Sequence, residues 1–115
     1  MDKQVEVIEA LDCSGKSPFQ EWFDSLDAVT AARVAVFVER VIQGNHSNVA
    51  PIGGGLSEIK MDFGPGHRVY FGTRGKYLMI LLGGSGKKGQ SKAIANAKRL
   101  WKEYLAADKM SRKSK

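Results

Sequence analysis

Cysteine, histidine and proline are all scarce in this sequence. Cys13 is the single cysteine among 115 residues, so no internal disulfide framework can form and a reducing cytosol is the expected setting. Two histidines and one cysteine are too small a donor set to suggest a zinc site, and no metal or cofactor is expected. The longest apolar run, Tyr77 to Leu82, falls far short of the roughly 18 residues that a membrane span takes. The start, Met1-Asp2-Lys3-Gln4, has no apolar core segment, so no signal peptide is expected. Acidic residues are scarce in one half only. Residues 1–59 carry 4 Lys/Arg against 9 Asp/Glu, and residues 60–115 carry 14 against 3, so a net charge of +6 divides into −5 and +11. A strongly basic half is the footprint of a polyanionic partner, most often nucleic acid.

What is present suffices for one core. Hydrophobic residues make up 43% and charged residues 26%, which excludes a wholly disordered chain. Gln4-Val5-Glu6-Val7-Ile8 alternates as a half-buried strand does. Ser17-Pro18-Phe19-Gln20 combines an N-cap serine, proline at the first helical position and glutamine at the third, and Phe19, Trp22, Phe23 and Leu26 follow at helical spacing. Asp27 caps a second expected helix, carried by Val34, Phe37, Val38, Val41 and Ile42 and ended by Gly44-Asn45. Residues 44–55, with Pro51 and Gly53-Gly54-Gly55, read as a loop. Strands are expected over Leu56–Phe63 and His67–Gly72, joined by Gly64-Pro65-Gly66, and over Tyr77–Leu82, which is apolar on both faces like a central strand. A last helix spans about Gln90 to Leu105. The expected order is β-α-α-β-β-β-α, an α+β domain over residues 1–107: a small, mostly antiparallel four-stranded sheet with helices packed on one face, then a basic, flexible tail over 108–115.

Chemistry concentrates on the hairpin. If its register centres on Gly64-Pro65, Lys60 faces Tyr70 and Asp62 faces Arg68, and one face carries Glu58, Lys60, Asp62, Arg68 and Tyr70. Gly84-Ser85-Gly86-Lys87-Lys88-Gly89 matches the G-x-G-x-x-G spacing. A dinucleotide fold would need an acidic residue at the end of a further parallel strand, and Glu103 lies within the helix instead. A P-loop fails too, with Leu81 in place of its first glycine and Lys88 in place of Ser/Thr. What survives is a lysine-bearing loop at a helix N-terminus, where an anion is welcome. His67 is a candidate acid or base, histidine being the side chain suited to that role near neutral pH. His46 and Cys13 read as exposed and inert, and Trp22, Phe23 and Trp101 as core.

The run Glu58-Ile59-Lys60-Met61-Asp62-Phe63-Gly64-Pro65-Gly66-His67-Arg68-Val69-Tyr70-Phe71 resembles the signature of bacterial toxins of the RelE/ParE superfamily, above all the HigB-like addiction module killer group. The continuation through Leu81-Leu82-Gly83-Gly84, Lys87, Lys88, Gln90, Ile94, Ala97 and Trp101 is similar as well, and His67 stands where that group usually has tyrosine. The resemblance implies a RelE/ParE-like fold and the toxin of a type II toxin–antitoxin system: a cytoplasmic, metal-independent, ribosome-dependent mRNA endonuclease that inhibits translation. It also implies a helix-turn-helix antitoxin as partner, alongside mRNA and the ribosome, and no membrane. Arg68 matches the motif arginine and would clamp the scissile phosphate. Lys60 would act as base or second electrostatic stabiliser, with Tyr70 or His67 donating a proton or stacking on a base. Lys87, Lys88, Arg74 and Lys76 would hold flanking phosphates. The alternatives are a non-enzymatic ParE-like poison of DNA gyrase and an inactive, phage-derived RNA-binding relative.

Overall fold

A computed structural model describes residues 4–113, the last two by backbone alone. The leaderless start read at Met1–Lys3 and the last two positions of the expected tail lie outside the described residues. Local signals place the first helices. Ser17 accepts a hydrogen bond from the Gln20 N–H at 3.0 Å and Pro18 opens α1 (Pro18–Asp24), which follows β1 (Glu6–Glu9). The Gln20 side chain donates to Asp24 rather than folding back on the cap, so only half of the capping box is made. Asp27 caps α2 (Ala28–Ile42) by accepting from the Thr30 N–H, and Gly44 turns the chain out of that helix at φ +96°.

The remaining elements are β2 (Val49–Gly53), β3 (Leu56–Lys60), β4 (Arg68–Arg74), β5 (Leu78–Ser85) and α3 (Gln90–Lys113). Among the described residues the class is α+β, with three helices and a mixed sheet in the order β1-β5-β4-β3-β2. β2 to β5 form an antiparallel meander, and β1 lies parallel to β5 with Glu6 opposite Leu78. The sheet thus has five strands where four were expected. The additional one is β2, where Pro51 and the glycine run predict a loop. As an edge strand with a bulge between Pro51 and Gly53, it tolerates a residue without an N–H.

Helices cover both faces, which corrects the one-sided packing expected. On one face Phe19, Val34, Phe37, Val38 and Val41 of α1 and α2 meet Ile59, Met61, Val69, Phe71, Met79 and Leu81. On the other, Ala97, Leu100 and Trp101 of α3 meet Leu56, Tyr70, Ile80 and Leu82. Each face brings a tryptophan down on a glycine: a methyl at Gly84 would lie 2.1 Å from the Trp22 ring, and one at Gly72 would lie 2.7 Å from Trp101. Only a residue without Cβ permits either approach. α3 runs on through Lys113, well past the end expected near Leu105, and Asp108 pairs with Arg74 at 3.0 Å, so the stretch read as a loose tail is helical over its described part. Among the described residues no helix is long and apolar enough to cross a membrane.

Candidate functional site

The β3–β4 hairpin is offset by two residues from the expected register. β3 stops at Lys60, Met61 donates its N–H to the His67 carbonyl across a wider turn, and Lys60 pairs with Arg68 while Glu58 pairs with Tyr70. A shift of two preserves the alternation of faces, so Glu58, Lys60, Arg68 and Tyr70 still share one side. Asp62 does not face Arg68. It lies past the strand end, lining a shallow pocket with Arg33, Val36, Phe37 and Arg40 of α2.

Glu58 is the centre of the arrangement. It is 3% exposed, and its two carboxylate oxygens stand 3.7 Å from Lys60 Nζ and 3.6 Å from Arg68 Nε. The Lys60 side chain is 56% exposed and that of Arg68 16%. Arg68 also donates through Nη1 to the Gly66 carbonyl at 3.3 Å. The two cations therefore converge on one buried carboxylate: Arg68 is held from beneath by Glu58 and from the turn by Gly66, while Lys60 reaches into solvent. Glu58 Oε2 and Arg68 Nε are buried without a hydrogen bond to either, which makes the contact an ion pair of slightly long reach. Glu58 shared the hairpin face in the sequence but was not singled out as a site residue. The signal was available: Tyr77 to Leu82 is apolar on both sides, so the sheet is covered on both faces, including the one that carries Glu58.

The loop between β5 and α3 brings a third cation. The Lys87 N–H donates to the Pro65 carbonyl at 3.3 Å, and a methyl at Gly66 would lie 3.6 Å from Lys87 Cβ and 3.9 Å from Arg68 Nη1. Lys87 thus stands beside Arg68 across the hairpin turn, and exposed Lys88 follows it in the same loop.

The other expected site residues are placed elsewhere. Tyr70 is fully buried beneath α3, its hydroxyl 2.8 Å from the Ser85 hydroxyl. Burial, reinforced by the negative charge of Glu58, raises its phenol above the ordinary 10.0, against the opposing effects of the Ser85 hydrogen bond and of Arg68. It supports the pair from within the core and does not reach the surface as a donor. His67 packs on the opposite side, its ring centroid 6.1 Å from that of Trp22 and 5.8 Å from that of Phe63, with Nδ1 buried and unpartnered. Arg74 ends β4, six residues from Arg68 and so about 20 Å along the strand. It is paired with Asp108, and Lys76 lies in the turn beyond it. The eight candidates thus separate into a cluster of Lys60, Arg68, Lys87 and Lys88, a core residue, a ring on the far face, and a pair at the distant end. Among the described residues no three of His, Cys, Asp and Glu come together as metal ligands do.

No protein-family model matches the sequence. The chain is 34% identical over 86 residues to an uncharacterized protein of Haemophilus influenzae (strain ATCC 51907 / DSM 11121 / KW20 / Rd), a match that spans 74% of this chain and 87% of that protein. The chain belongs to the same family as that protein.

Proposed function

We propose that this member of the family is a RelE/ParE-like, HigB-like toxin: a cytoplasmic endonuclease that cuts mRNA on the ribosome and is neutralised by a helix-turn-helix antitoxin. The observation that carries the reading is the convergence of Lys60 and Arg68 on buried Glu58, with Lys87 beside Arg68, all three cations belonging to the half of the chain with a net charge of +11. RNA supplies its own nucleophile. The 2′-oxygen attacks the adjacent phosphorus, the bond from phosphorus to the 5′-oxygen breaks, and a 2′,3′-cyclic phosphate and a 5′-hydroxyl result. One proton must leave the 2′-oxygen and one must reach the 5′-oxygen, so the reaction balances without metal or redox partner.

The protein's part is chiefly charge. Negative charge grows on the non-bridging oxygens during attack, and fixed cations aimed there act where they matter most. Arg68, held on two sides, is the preorganised clamp, and its planar guanidinium can bind two oxygens at once. Lys60 is the exposed partner, and solvent reaches it. With Glu58 offsetting the crowding by Arg68, we assign Lys60 the stabilising role and let water at its ammonium carry the protons. Lys87 and Lys88 hold flanking phosphates.

Inducing the chain in bacteria tests this. Growth arrest with rapid in-codon cleavage of mRNA, relieved by the adjacent gene, is the expected result. Lys60→Ala should abolish arrest without unfolding the protein, since Arg68 remains to pair Glu58. A fully toxic Lys60→Ala or a well-folded, fully toxic Arg68→Ala overturns the assignment, and an SOS response with intact transcripts replaces the nuclease with a gyrase poison.

A further inference from the structure

A second concave feature lies away from the Lys60–Arg68 cluster, between α3 and the glycine turn that joins β2 to β3. It is a groove of about 490 Å³ lined by Gly54, Lys98, Arg99, Trp101, Lys102 and Leu105. Its floor is the Trp101 edge and Leu105, its rim is three cations, and no acidic residue lines it.

The lysines have no internal reason to be there. Lys98 and Lys102 are four residues apart on one helix, a like-charge pair that weakens a helix. Residues 94, 95 and 101 around Lys98, and 99, 105 and 106 around Lys102, include no acid. Exposed Gly54 leaves the opposite wall open, with nothing within 4 Å of where its side chain would begin. Such a rim calls for anionic charge from outside, and the apolar floor calls for an apolar group attached to it.

A nucleic acid fits this less well than a protein segment. A base would need a free aromatic face. Trp101 is buried, its six-membered ring lies against Gly72, and Tyr104 stacks parallel to it at 5.7 Å. What remains is an apolar floor, which suits an aliphatic side chain better than a base. We infer that this groove docks an acidic segment of a partner protein, with a leucine-like anchor on Trp101 and Leu105 and carboxylates on Lys98, Arg99 and Lys102. The groove lies at the opposite end of β3 from Lys60, so docking there leaves the phosphate-binding cluster free.

The test uses the full chain and three labelled probes: a short synthetic peptide with leucines flanked by glutamates, its counterpart with serine for leucine, and a single-stranded RNA oligonucleotide. The Glu/Leu peptide should bind, shift the indole N–H resonance of Trp101 and leave that of Trp22 unmoved. Lys98→Glu/Lys102→Glu and Leu105→Asp should each weaken it by about tenfold or more, and Lys87→Glu/Lys88→Glu by less than about twofold. Circular dichroism checks that each variant keeps the fold, and loss of binding by a folded Lys98→Glu/Lys102→Glu supports the inference. Equal binding of the serine peptide, dependence on Lys87 and Lys88 instead, or a groove substitution that weakens RNA and not peptide overturns it. Self-association that the groove substitutions abolish also overturns it, by placing a second copy there.

Discussion

Removing the charge of Glu58 and the side chain of Arg68, singly and together, reads the candidate site directly. At 3.6 Å and an effective dielectric near 20, the attraction between the two is roughly 4–5 kcal/mol before desolvation is subtracted. Glu58 is almost fully buried, Arg68 is largely so, and the contact lacks an ideal hydrogen bond, which lowers the net worth of the pair. Arg68→Ala strands a buried carboxylate with only exposed Lys60 beside it. Loss of one partner from a fully buried pair costs ~3–5 kcal/mol, and the help from Lys60 puts this case at about 2–3 kcal/mol. Glu58→Gln keeps the volume and leaves Arg68 without its counter-charge, at a cost of ~1–2 kcal/mol because Arg68 retains some solvent and the Gly66 carbonyl. The double variant strands neither charge. Its destabilisation should fall short of the sum of the singles by ~1.5 kcal/mol or more, measured by urea denaturation at unchanged m-value. Additive effects would show that Glu58 and Arg68 do not sense one another, and the preorganised clamp would fall with that result. The same cycle separates stability from action: the double variant recovers fold and stays non-toxic if Arg68 contacts phosphate.

Further outcomes follow from the packing. Gly84→Ala must push Trp22 off the sheet, because the new methyl would sit 2.1 Å from its ring. The cost should reach ~3 kcal/mol in chemical denaturation, with Trp22 fluorescence shifted toward that of an exposed indole. Tyr70→Phe should cost ~1 kcal/mol at neutral pH through the lost bond to Ser85. In the wild type the folded chain keeps the phenol proton where the unfolded chain has lost it, so stability declines as pH climbs past 10.0. Tyr70→Phe should flatten that decline in alkaline melting curves. Arg74→Ala breaks only a partly exposed pair with Asp108, should cost less than ~1 kcal/mol in the same assay, and, on the proposed function, should leave growth arrest intact, since Arg74 lies far from Arg68.

Legibility in the sequence followed how local each signal was. Ser17-Pro18 and Asp27 announce their helices because a cap is satisfied within a few residues of itself. β5 was recognisable because apolarity on both sides has few other meanings. Three misreadings have one origin in tertiary context. Pro51 and the glycines hid β2, whose edge position alone excuses them. The hairpin register came out two residues off because a slip of two leaves every apolar residue on its face, and nothing in the pattern opposes it. The tail was read as loose because the contact that anchors it, Arg74 to Asp108, joins residues far apart in the chain.

The fourth misreading matters most for function, because it changes what the polar face is. Glu58, Lys60, Arg68 and Tyr70 are legible as one face, but an arrangement with helices on one side of the sheet says nothing of a cover over that face. α3 covers Tyr70 on that face, and the four differ in depth: Tyr70 sealed, Glu58 nearly so, Arg68 mostly covered, Lys60 exposed. A carboxylate so deep is tolerated because two cations share it, and the same sharing aims them. Burial therefore fixes Arg68 against Glu58, while Lys60 shares the same carboxylate from the solvent side. A fully exposed arginine would lose that aim to rotamer freedom. The double-variant cycle at Glu58 and Arg68 measures this depth-dependent coupling, which a solvated sheet face would lack.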